Sequence, residues 1–158
     1  MILHEETERN EMADKMKSRK EGDITFFHPD LLEVPENERP YLKGYKCKGC
    51  GKIWFPKFIP CPNPDCWSED MEIIRLSREG KIYSATDVYI GQPSMRDYMP
   101  LIVGYVDLPE GIRVFAQLEG EINSFQCGDE VELITGPIRN NGRGEPIISY
   151  KFRKMAKK

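Results

Sequence analysis

Histidine is almost missing from this chain: two residues, His4 and His28, in a sequence of 158. Most acid–base and nucleophile–base arrangements lean on an imidazole, so the scarcity removes most catalytic constellations at the outset. A basic excess is lacking too. The 26 Asp and Glu outnumber 23 Lys and Arg, a net charge of −3, which argues against a general nucleic-acid binder. No apolar run approaches the roughly 20 residues that a membrane-spanning helix needs. The stretch MILHEETERNEMADKMKSRK turns polar after Ile2 and Leu3. It has no apolar middle of a secretory signal, which predicts a cytoplasmic address.

What charge there is falls unevenly. Residues 1–40 hold 6 basic and 11 acidic side chains, while residues 41–158 hold 17 basic and 15 acidic. The acidity therefore belongs to an N-terminal arm. Good helix formers over 4–20, followed by Gly22, predict a helix there. Its apolar stripe (Met12, Ala13 and Met16) is too narrow to build a core alone, so the helix should lie against the rest of the chain or a partner. The connector after it, rich in proline, carries Phe26, Phe27, Leu31 and Leu32, which need cover.

Beyond Met71 the sequence becomes a series of short β-like runs: MEIIRL, GKIYSATDVYI, LIVGYVDL, IRVFAQLE, DEVELITG and PIISYKF. Gly, Pro and Asn break them, the pattern of a small antiparallel barrel or sandwich. In the second run Ile82, Ser84, Thr86 and Val88 alternate with Tyr83, Ala85, Asp87 and Tyr89, as a half-buried strand would. Two loops stand out, 91–100 and 139–146.

Cysteine supplies the strongest signal. Of five, four crowd into one stretch: Cys47 and Cys50 with two residues between them, then Cys61 and Cys66 with four. In a reducing compartment such a cluster points to a metal rather than to disulfides. A Cys-x2-Cys turn lets two thiolates grip one ion, and Gly51 permits the positive φ that the turn favours. Four thiolates form the closed tetrahedral shell that soft ligands offer to zinc, with no position left for water or substrate. The expected metal is one structural zinc; iron in a rubredoxin-like site and free or redox-active cysteines are the alternatives. A ribbon of roughly 30 residues cannot close a core unaided, and metal coordination supplies what apolar burial cannot. The fifth cysteine, Cys127, has no neighbouring histidine in sequence and reads as a small, partly buried residue at a strand entrance.

Together, Tyr41-Leu-Lys-Gly-Tyr-Lys-Cys-Lys-Gly-Cys-Gly-Lys-Ile-Trp-Phe-Pro, the second cysteine pair, Gly80-Lys-Ile-Tyr-Ser-Ala-Thr, the run from Pro100 to Leu118 and Gly128-Asp-Glu-Val-Glu-Leu resemble the acyl-CoA-associated zinc-ribbon/OB-fold family. The chain is also similar to the small zinc-binding subunit of two-component thiolases. The Cys61-x4-Cys66 spacing departs from the tighter pair of many members and predicts a looser second turn. The resemblance implies a mainly β protein in three parts: a helical arm and connector over 1–40, a zinc ribbon over 41–72, and a five-stranded OB barrel over 73–158. It implies an accessory role beside a thiolase-fold catalytic subunit, whose own Cys and His do the chemistry while this chain bridges subunits and helps enclose the CoA ester.

A CoA ester has an apolar pantetheine and an anionic nucleotide end, so its contacts call for Lys or Arg. The candidates are Arg96 and Arg139 with Arg143 in the two conspicuous loops, and Lys151, Arg153 and Lys154 near the end; each is alternatively a solvated charge. Trp54, Phe55, Phe58 and Trp67 beside the metal read as ribbon cover or partner contacts. Two other classes stay open. Ribbons and OB folds also bind nucleic acid, and Tyr83, Tyr89, Tyr105 and Phe115 are potential stacking faces. A stand-alone hydrolase or thioesterase would need Asp87, Asp97 or Cys127 to react without a recognisable base.

Overall fold

A computed structural model describes residues 25–26, by their backbone, and 30–156. The helix expected over 4–20, the side chains of Phe26 and Phe27, and both histidines lie outside the described residues.

The ribbon is built around one strand. β1 (Thr25–Phe26) precedes it and β2 (Leu32–Glu33), β4 (Ile53–Trp54) and β5 (Met71–Arg75) all pair antiparallel with β3 (Tyr41–Cys47). β5 is the MEIIRL run. It completes the ribbon's sheet rather than the barrel's, and it straddles residue 72, where the sequence reading ends the ribbon.

The other five runs form β6 (Glu79–Val88), β7 (Leu101–Asp107), β8 (Arg113–Glu119), β9 (Glu130–Asn140) and β10 (Pro146–Lys154). β6 pairs antiparallel with β7 and β9, β7 with β8, and β9 with β10, while β8 and β10 run parallel. The pairings close on themselves as 6-7-8-10-9-6, the five-stranded OB arrangement. Short β1 adds to β10 in parallel at Ile147 and Ile148.

Alternation decides the faces. In β8, Val114, Ala116 and Leu118 point inward and are buried, while Arg113, Phe115 and Glu119 are exposed. β6 departs from the simple alternation that its sequence suggests. A bulge between Ile82 and Ser84 leaves Tyr83 opposite no residue of β7. Ile82 is buried at 3 % exposure, and the next inward side chain is Ala85 rather than Ser84; Thr86 is exposed. One extra residue rotates the rest of the strand, which is what a bulge does. Across from it, a side chain at Gly104 would strike the Ser84 carbonyl, so this close approach of two backbones requires glycine.

Ribbon and barrel share one core. Leu32, Leu42 and Leu76 belong to the same buried cluster as Val106, Val114, Val131, Leu133 and Phe152. Arg78 clamps the junction, donating from Nε to the Pro40 carbonyl at 2.8 Å and from a terminal nitrogen to that of Leu133 at 2.7 Å. Phe55 meets Tyr150 edge to face at 6.1 Å. Leu31 is half-buried and Leu32 buried, so part of the connector finds its cover here.

Phe152 is fully buried where ribbon and barrel meet the same cluster. Phe152→Ala should cost about 3–5 kcal/mol, and a denaturant midpoint within error of the unmodified chain would refute the central place given to that ring.

Candidate metal centre and the surfaces around it

Cys47 ends β3 and Cys50 follows one turn later. The Gly51 N–H closes the turn onto the Cys47 carbonyl at 2.8 Å, and Gly51 itself has φ +76°. Backbone N–H groups of Cys50 and Gly49 point at the Cys47 sulfur and lower its thiol pKa. The Lys52 N–H does the same for Cys50, the largest influence in bringing that thiol down to about 6. The second pair sits in the segment after Pro60. There Asn63 organises the two extra residues: its carbonyl accepts from the Cys66 N–H at 3.0 Å, and its Oδ1 accepts from the Asp65 N–H at 3.2 Å. The Asn63 side chain also bonds the Cys50 sulfur and helps lower its pKa. The Ser68 N–H favours the Cys66 thiolate most strongly, but burial and the sulfurs of Cys47 and Cys50 outweigh it and push that thiol up to about 11.

The four sulfurs lie within 4.8 Å of one another. Cys47 and Cys66 are 3.6 Å apart and Cys50 and Cys61 3.7 Å, far beyond a disulfide bond, and all are free thiols. A tetrahedron with Zn–S bonds of about 2.3 Å has edges of about 3.8 Å, so the sulfurs are spaced to hold one such ion. Four thiolates on a divalent ion carry excess negative charge, and Lys46, Lys48 and Lys52 surround the turn. Lys48 also reaches Asp70 at 3.7 Å.

The aromatic residues beside the shell divide. Phe55 packs on the shared core and Trp54 is half-buried, edge-on to Phe58 at 6.4 Å. Trp67 stands 62 % exposed, its indole N–H held by the Pro64 carbonyl at 2.7 Å. Cys127 is exposed rather than partly buried: it lies in the turn before β9, next to Gly128 at φ +90°, and its thiol donates to the Tyr83 carbonyl at 3.1 Å.

The six basic candidates fall into two groups. A 3-10 helix, Pro93–Tyr98, packs the 91–100 loop against the end of β9. Tyr98 donates to Asn140 at 2.7 Å and Asn140 to Asp97 at 2.9 Å, which joins the two conspicuous loops. Arg96, Arg139 and Arg143 therefore share one end of the barrel. Lys151, Arg153 and Lys154 lie toward the other end of β10. There they pair with Glu119 at 3.6 Å, Glu132 at 2.8 Å and Asp129 at 3.3 Å. Asp87 accepts from the Asn123 N–H at 3.2 Å and has no general base beside it among the described residues.

A family model described as "ChsH2, rubredoxin-like zinc ribbon domain" matches residues 38–72, and one described as "ChsH2, C-terminal OB-fold domain" matches 74–135. The "Benzoylsuccinyl-CoA thiolase subunit BbsA" of Thauera aromatica is 56% identical over 147 residues, 92% of this chain and 99% of that protein. The chain belongs to the ChsH2-type zinc-ribbon/OB-fold family. A second relative in that family, of the same name and from Geobacter metallireducens, is also 56% identical and covers 94% of this chain and 99% of its own. A "DUF35 domain-containing scaffold protein" of Methanothermobacter thermautotrophicus is 34% identical over 73% of this chain and 86% of that one. Among solved structures, "Ltp2-ChsH2(DUF35) aldolase" superposes with a TM-score of 0.59 at 24% identity, covering 72% of this chain and 84% of that chain, a likeness of fold.

Sequence reasoning missed two structural residues. Asn63 was signalled by its place between two prolines, a turn context; Arg78 lies in no motif, and its partners are distant in sequence. No helix among the described residues is long and apolar enough to cross a membrane.

If the tetrad binds as its spacing indicates, purified protein should carry close to one zinc, and Cys61→Ser should drop this well below half an equivalent by metal analysis. The same substitution should lower the melting temperature, because metal binding and ribbon folding are coupled.

Proposed function

We propose that this chain is a non-catalytic, zinc-stabilised accessory subunit of a thiolase-type acyl-CoA enzyme, working in the cytoplasm. The observation that carries this reading is the 56% identity, over nearly all of both chains, to a protein named as a thiolase subunit. The site chemistry supports it. Four sulfurs converge with S···S spacings suited to a filled tetrahedron, which leaves a bound metal no open position at which to activate water or substrate. In this reading Cys47, Cys50, Cys61 and Cys66 hold one structural zinc. The ion fixes the ribbon, and carbon–carbon bond formation or cleavage takes place on the thiolase-fold partner.

The working parts are an arm over 1–40, the ribbon over 41–72 and the barrel over 73–158. The chain scaffolds its partner and helps enclose the CoA ester. In this reading Arg96, Arg139 and Arg143, at the end of the barrel where two loops meet, face an anionic nucleotide. Lys151, Arg153 and Lys154 are drawn into pairs with carboxylates of the barrel, so any contact they make to CoA competes with those pairs.

Reconstitution tests the reading. The isolated chain should not turn over acyl-CoA, and adding it to the companion subunit should restore thiolytic activity that the companion lacks alone. Turnover by the isolated chain, or full activity of the companion without it, would overturn the assignment.

A further inference from the structure

Tyr83, Tyr105 and Phe115 are adjacent on the outer face of the barrel. Tyr105 lies directly opposite Phe115 in the β7–β8 register, and their rings meet edge to face at 5.3 Å. Tyr83 is the bulged residue of neighbouring β6. They are 51 %, 43 % and 52 % exposed in the order Tyr83, Tyr105, Phe115. The Arg113 guanidinium stacks 3.3 Å from the centre of the Tyr83 ring and is held in place by Asp107 at 2.7 Å. Tyr105 and Phe115 also line a groove of about 730 Å³ between barrel and ribbon, with Phe55, Pro56 and Tyr150; its charged groups are Arg113, Lys57 and Asp30. Neither the metal shell nor the six basic candidates use this surface.

We propose that the row and groove form the docking surface for the catalytic subunit, the groove receiving an apolar segment of that subunit that carries a carboxylate for Lys57. The proposal rests on the accessory-subunit reading above and names where the partner sits. Three large rings held half open to water on one sheet face are costly in a free chain, and tyrosine and arginine are the residues that dominate protein interfaces. Each ring offers about 100 Å², so the three supply roughly 300 Å² of the ~800 Å² that one side of a stable interface buries. The groove and its edge extend that centre. Charge selects protein over single-stranded nucleic acid, which needs a basic track beside its stacking rings. Here Arg113 is already engaged by Asp107, and Lys57 shares the groove with the carboxylate of Asp30.

The test is calorimetric titration of the full-length chain with the companion subunit of the Thauera aromatica thiolase. The double variant Tyr105→Ser/Phe115→Ser should weaken binding at least ~30-fold. Lys57→Glu, outside the shared core, should weaken it about tenfold, and Glu69→Ala should leave it unchanged. Metal content and melting temperature report whether each variant is folded; Lys57→Glu keeps the test decisive if the double variant is not. Folded variants that bind like the unmodified chain overturn the docking surface and leave the accessory role standing. Failure of the unmodified chain to bind overturns both. Salt-sensitive binding of a thymidine oligonucleotide that depends on Tyr105 and Phe115, with companion binding intact, assigns the row to nucleic acid instead.

Discussion

Four sulfur atoms drawn within 4.8 Å of one another set the terms for the ribbon. Thiolates at that distance repel, and a soft cation turns the repulsion into the strongest local attraction available. The ribbon needs such a device. Two of its four strands are only two residues long, and a sheet that small cannot bury enough apolar surface to order itself. The sulfur cluster gathers at one end of β3, where a bound cation would hold it, while the other end inserts Leu42 beside Leu76 into the barrel's own core. Chemistry of two kinds thus meets on a single seven-residue strand, a thiol cluster at one end and apolar burial at the other.

Much of this was legible in the sequence where local rules are strict. The cysteine tetrad could be read because metal ligands require particular side chains at short, fixed spacings. The β runs could be read because inward residues repeat every second position, as Val114, Ala116 and Leu118 do. The alternation read in β6 failed after Tyr83, from Ser84 onward, since a bulge shifts the pattern without any residue type that forces it. Membership of the MEIIRL strand also escaped the reading. Strand partners depend on distant pairing, and β5 answers to β3 rather than to the strand that follows it in the chain.

The candidate ligand contacts show the same division. Arg96 and Arg143 share one end of the barrel because the Tyr98–Asn140–Asp97 hydrogen bonds tie two loops that are some forty positions apart. Nothing in either loop alone announces this. The Lys151–Lys154 segment looks like a basic tail in one dimension. In three it is a strand whose outward charges are matched by acids on β8, on β9 and just before β9. Aromatic residues that read singly as potential stacking faces likewise acquire meaning only through register, which sets Tyr105 against Phe115 and leaves Tyr89 apart from both.

The β6 bulge makes the character of the barrel's outer surface a question of parity. Because the strand counts in twos, an odd insertion at Tyr83 is what lets a tyrosine and, two positions on, a core alanine occupy opposite sides of the same sheet. A relative that lost this one residue would keep its strands, its closure and most of its core contacts. It would nonetheless lack the ring that the bulge sets on the outer face, because Tyr83 is the residue the bulge adds.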